Sequence, residues 1–151
     1  MKLTAQVRLS AVVCLAFICL DLHAQPTANH KAVSPVRHTD SISQPGAIER
    51  VDAIAARPGP ASGFAQVYSE SMQNIYAQVK DYDSAARAFI IKFEIHFADY
   101  FLRAYDDYQK GTLPDSSEWR NLFSHPRLKS WQLILFGVNA HTNVDLGQAL
   151  F

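Results

Sequence analysis

The sequence predicts an all-α protein built as a bundle of about five helices. Three observations carry that expectation. Beyond residue 46 apolar side chains recur at intervals of three and four, no stretch alternates with period two or clusters β-branched residues, and the breaks hold Pro, Gly and N-capping side chains.

The first 24 residues read as a secretory signal peptide. Lys2 and Arg8 supply a positive start, Leu9 to Leu20 is an almost unbroken apolar run, and Leu22-His23-Ala24 ahead of Gln25 fits a cleavage site. A run of about a dozen apolar residues falls short of the roughly 20 that span a bilayer as a helix. The mature chain is therefore expected in the periplasm or outside the cell, with no membrane span.

Both cysteines, Cys14 and Cys19, lie within that run, so the mature chain has none. Disulfides, thiolate catalysis and cysteine-based zinc sites are thereby excluded. Removing Lys2, Arg8 and Asp21 from the 14 basic and 14 acidic residues leaves a net charge of −1. Such a chain has no basic field for nucleic acid or an anionic membrane.

Residues 25–46, rich in Pro, Ser, Thr, Asn and His and without a period, read as a flexible leader in which His30 and His38 are solvated. The helical domain is expected over 47–151. Its first helix runs from about Ala47 to Ala56 and stops at Arg57-Pro58-Gly59-Pro60, which cannot continue it. The second opens at Ser62 as N-cap and carries Phe64, Val67, Tyr68, Met72, Ile75 and Val79 at helical spacing. A third, longer helix starts near Asp83 or Ser84 and runs to about Lys110, where Gly111, Thr112 and Pro114 end it. Asp115-Ser116-Ser117-Glu118 has the pattern of a capping box that opens a short helix through Trp119, Leu122 and Phe123. The last helix follows Ser124-His125-Pro126. It is still apolar at Ala149, Leu150 and Phe151 with no cap in sight, as expected of an incomplete domain.

Two helices carry polar residues that their apolar patterns do not explain. Gly137 to Leu146 reads G-V-N-A-H-T-N-V-D-L, which sets two amides, an imidazole and a carboxylate in an otherwise apolar segment. At about 100° per residue, Trp131, Ile134, Leu135, Val138 and Ala149 share a stripe that includes Asp145, with His141 at its edge. His141 and Asp145 are four apart and can meet on one face. Asn139 and Asn143 form a second such pair on the other side of the helix, as supporting polar residues. In the third helix, Glu94 lies within the apolar face of Ile90, Phe97, Phe101, Tyr105 and Tyr108. Arg87, two turns earlier, is its candidate partner if the acid is structural. Asp99 and Arg103 read as a surface ion pair, and His96 and His125 as structural or exposed.

Two readings of these residues stay open. In the first, His141 and Asp145 are ligands of a divalent transition metal and Glu94 is a further ligand or a general base, its pKa raised by burial. That site would run a metal-assisted hydrolysis between facing helices. In the second, the module is non-catalytic, structural or ligand-binding. Asp145 then orients His141 through a buried hydrogen bond, and Asn139 and Asn143 bond loop carbonyls or neighbouring helices. A small-molecule ligand suits either reading, since the aromatic series from Phe89 to Tyr108 can pack a core or line an apolar pocket. No nucleophile elbow, phosphate-cradling loop or His-Glu-x-x-His motif is present.

Phe97-Ala98-Asp99-Tyr100-Phe101-Leu102-Arg103-Ala104-Tyr105-Asp106, then Gly111, Trp119-Arg120 and Leu135-Phe136-Gly137-Val138-Asn139-Ala140-His141-Thr142-Asn143-Val144-Asp145-Leu146, resemble the successive signatures of the bacterial domain-of-unknown-function 5995 family. The resemblance runs from about Ser62 to the end of the chain. An acid at the position of Glu94 is in keeping with that family, whereas Thr142 departs from the aliphatic residue usual there. The resemblance implies a helical neighbourhood without an established reaction, and a domain that continues past the motif.

Overall fold

A computed structural model describes residues 43–150 of the chain. The signal peptide expected over 1–24 and nearly all of the leader expected over 25–46, with His30 and His38, lie outside the described residues. Among the described residues every regular element is helical, as the periodicity requires.

The first helix, α1, spans Gln44–Ala55 and starts three residues ahead of the expected Ala47. Ser43 accepts a hydrogen bond from the Gly46 N–H, and Pro45 sits in the first turn, where its missing N–H costs nothing. Helix α2, Ser62–Gln78, is capped differently from the expectation. Ser62 lies inside its first turn and donates its hydroxyl to the Gly59 carbonyl at 2.8 Å, while Ala61 takes the cap position. Ala47, Val51 and Ile54 of α1 are buried, as are Phe64, Ala65, Tyr68, Met72 and Tyr76 of α2. Ser69 is buried too, and donates to Asp52 across the contact between the two helices.

After a 3-10 turn, Val79–Asp81, helix α3 runs from Ser84 to Lys110. Both of its ends follow from the sequence. The Asp83 carboxylate accepts from the Ala85 and Ala86 N–H groups at 2.9 Å each, and its charge suits a helix N-terminus. Gly111 closes the other end at φ 73°, a conformation that only glycine adopts without cost. The buried face of α3 holds Glu94, Phe97, Ala98, Phe101, Leu102 and Ala104.

Helix α4, Trp119–Phe123, has five residues and no side-chain cap, so the expected capping box does not form. The Glu118 carboxylate instead accepts from the Asn121 amide at 3.3 Å. What anchors α4 is Arg120, which donates to the Leu113 carbonyl and pairs with Asp115 at 3.1 Å, bracing the loop that delivers Trp119. Tyr108 of α3 adds a hydrogen bond to the Phe123 carbonyl at 3.0 Å.

The final rod comprises α5, Ser130–Ala140, a π-helical turn, His141–Asp145, and α6, Leu146–Leu150. Its buried face is not the expected stripe. Trp131 and Leu135 are 59% and 57% exposed, and Leu133, Gly137 and Ala140 point inward instead. The cause is the closeness of α2. A Cβ on Gly137 would stand 2.4 Å from the Phe64 ring, so the two helices meet over small residues and the bulky ones turn outward. The core is centred on α3, where Phe97, Phe101 and Leu102 are fully buried along with Met72, Leu122, Phe123 and Val51. No helix among the described residues is long and apolar enough to cross a membrane.

Candidate functional site

The π-turn decides where the polar residues of the last rod point. It closes its hydrogen bonds one residue later than an α-helix does, and the Leu146 N–H bonds the His141 carbonyl accordingly. His141 and Asp145 thereby both face the core, each 3% exposed. The imidazole Nδ1 and the Asp145 carboxylate lie 2.9 Å apart. With a carboxylate as acceptor, Nδ1 carries the proton and Nε2 is left as a lone pair. Trp119 fixes the carboxylate from the opposite side. Its indole N–H donates at 3.3 Å to Oδ1 and 3.2 Å to Oδ2.

Aromatic rings enclose the imidazole. Phe97 stacks on it with centroids 3.5 Å apart and planes 10° from parallel, and Tyr68 meets it edge-on at 4.5 Å. Phe64 and Trp119 stand at 5.8 Å. Burial in this shell holds the imidazole pKa below its ordinary value despite the pull of Asp145, so the ring is kept neutral.

Glu94 lies one turn before Phe97 on the same face of α3 and is 6% exposed. Burial pushes its carboxyl up to about 7. The expected Arg87 partner is absent, because the Arg87 guanidinium donates to the Lys80 and Tyr82 carbonyls at 2.9 and 3.0 Å. Tyr68 joins the two halves of the cluster. Burial raises its hydroxyl pKa well above the usual phenol range, and the charges of Glu94 and Asp145 and the neighbouring Tyr76 add to the shift. Tyr76 is raised by burial and then by Glu94.

Four buried polar atoms have no hydrogen-bond partner among the described residues: Nε2 of His141, Oε2 of Glu94 and the hydroxyls of Tyr68 and Tyr76. All four belong to this one cluster. An unmet polar group of this kind costs about 1 to 3 kcal/mol, which native folds rarely tolerate without a use or an unseen partner.

Among the described residues no three His, Cys, Asp or Glu side chains are placed to hold one ion. The Asp145 carboxylate accepts from both His141 and Trp119. Asn139 and Asn143 lie elsewhere. They are exposed and bond each other at 2.8 Å. His96 and His125 are exposed, and Asp99 pairs with Arg103 as expected.

Trp119, Tyr68 and Tyr76 are the site residues that sequence reasoning passed over. Tyr68 counted only as part of an apolar stripe, although a tyrosine on a buried stripe must place its hydroxyl somewhere. Trp119 stood in one of the quoted signatures, and its indole N–H was the available signal.

Fold and site together define a class: an all-α bundle that buries an imidazole, two carboxyl groups and two phenols in one aromatic cluster. The chain belongs to a family of unknown function, DUF5995, whose model matches residues 46–151. No curated protein and no solved structure matches it.

Proposed function

We propose that this chain carries a buried acid–base centre for a small polar ligand, with His141 as the base and Glu94 as its proton-exchanging partner. The observation that supports it is the bare Nε2 of His141. Its other nitrogen is held by Asp145, which Trp119 holds in turn, so the lone pair is presented at a set angle in a largely dry setting. A neutral imidazole oriented this way can take a proton from a bound hydroxyl, amine or water. Glu94, with a pKa of about 7, can give or accept one near neutrality. Hydrolysis of a small ester or amide by activated water is the reaction class that fits such a pair, in the exported location expected from the N-terminal segment. A single imidazole bond to a metal through Nε2 is the remaining form of the metal reading.

A second reading has its own support. The hydrogen bonds from Trp119 and His141 to Asp145 link α4 to the last rod, and a purely structural dyad would do the same. His141→Phe and Glu94→Gln separate the two. Under the acid–base reading both variants keep their helical circular dichroism and lose binding or hydrolysis of small ester and amide substrates. If the wild-type protein neither binds nor turns over any of them, and the variants differ from it in stability alone, the structural reading stands. A stoichiometric transition metal in the purified protein, lost in His141→Phe, would establish the imidazole as a ligand.

A further inference from the structure

We propose that the ligand of this cluster is a small cation that donates hydrogen bonds, ammonium or the head of a primary amine. This deepens the reading of His141 as a bare base and depends on it.

Three features of the cluster select that chemistry. First, His141 Nε2 and Glu94 Oε2 both ask for a donor, and the Tyr68 and Tyr76 hydroxyls can rotate to follow whatever arrives. Second, the charges present are of one sign. Glu94 and Asp145 each oppose ionisation of Tyr68, and no ion pair among the described residues brings a cation to either of them except the neutral His141. The arginine pairs go to Asp106, Asp99 and Asp115, and Arg87 is committed to backbone carbonyls. An anionic guest would meet two carboxyl groups and no countercharge. Third, the rings of Phe64, Tyr68, Phe97 and Trp119 are grouped around the imidazole. Aromatic faces attract cations, most strongly where water is excluded. Transition metals are poorly served, since no third ligand converges among the described residues.

The residues would divide the work simply. Glu94, ionised above its pKa of about 7, supplies the countercharge, and His141 Nε2 accepts one N–H. The phenols close the remaining hydrogen bonds, or donate to a hydroxyl next to the amine.

The test uses the full chain in ammonium chloride or methylammonium chloride, with sodium chloride at equal ionic strength as reference. The melting temperature is expected to rise with ammonium or methylammonium beyond the sodium reference. Glu94→Gln, which removes the countercharge, should weaken the apparent affinity about ten-fold or more. The 15N resonance of His141 Nε2 in the unaltered protein, shifting on ammonium addition, gives a readout that does not depend on any variant folding. Equal melting in ammonium and sodium with an unmoved Nε2 resonance overturns the proposal. So does stronger protection by acetate or phosphate, or one equivalent of zinc or manganese that ammonium cannot displace. An Nε2 that is lone-paired yet indifferent to ammonium sinks the cation and leaves the acid–base reading intact. An Nε2 that carries the proton sinks that reading itself.

Discussion

Glu94 and His141 give this protein opposing pH dependences, and the signs follow from burial alone. Glu94 has its carboxyl raised from 4.5 to about 7, so the folded state prefers it protonated. Its contribution is full below pH 4.5 and is lost as pH rises through 7, and at ~1.4 kcal/mol per unit it is on the order of 3 kcal/mol. His141 is lowered, so the folded state prefers it neutral, and its contribution is full above the ordinary 6.5 and lost as pH falls below that. The two partly cancel between pH 4.5 and 6.5. Above that window only the loss from Glu94 continues. Urea denaturation of the wild-type protein should therefore show falling stability from pH 6.5 to 8, and Glu94→Gln should flatten that fall. A Glu94→Gln variant that still loses stability with the wild-type slope would contradict the burial argument. Asp145→Asn weakens what holds both Trp119 and His141 and is expected to cost about 1 to 3 kcal/mol, read as a drop in urea midpoint.

Helix pairs in this bundle are set by where small residues allow approach. Gly137 on α5 lies against Phe64 of α2, and the 2.4 Å that a Cβ would leave to the ring demands movement of the ring or the helix. Gly137→Ala is thus expected to destabilise by about 1 to 3 kcal/mol through overpacking, even though alanine is the better helix former. A melting temperature at or above wild type would show that α2 and α5 do not meet so closely. The N-terminus of α3 offers a milder contrast. Asp83→Ala removes two accepted N–H bonds at an exposed cap and should cost about 1 kcal/mol, with no effect on the imidazole resonances.

Among its described residues the bundle leaves one apolar face uncovered, and this makes a prediction about stability. Trp131, Leu135, Phe136 and Val138 are 37 to 59% exposed among the described residues. Leu135→Lys should change the unfolding free energy by no more than about 0.5 kcal/mol, whereas the sequence stripe, taken as core, would demand a loss of several. Denaturation of the variant decides between them. Leu133→Ala, inward on the same helix, should cost about 2 to 5 kcal/mol.

Local physics was readable along the chain. Asp83 and Gly111 announced both ends of α3, the Arg57-to-Pro60 segment announced the end of α1, and the three-and-four spacing announced an all-α fold, because caps, breakers and periodicity act within a few residues. The contact of His141 with Asp145 and the burial of Glu94 were legible for the same reason. Non-local matters were not. A straight-helix projection put Trp131 and Leu135 in the core, since nothing near them in the chain reveals that Phe64 claims the space over Gly137. The indole of Trp119 reaching Asp145, and the convergence of Tyr68 and Tyr76 on Glu94, arise between separate helices. Which polar atoms are left without partners depends on how those helices pack.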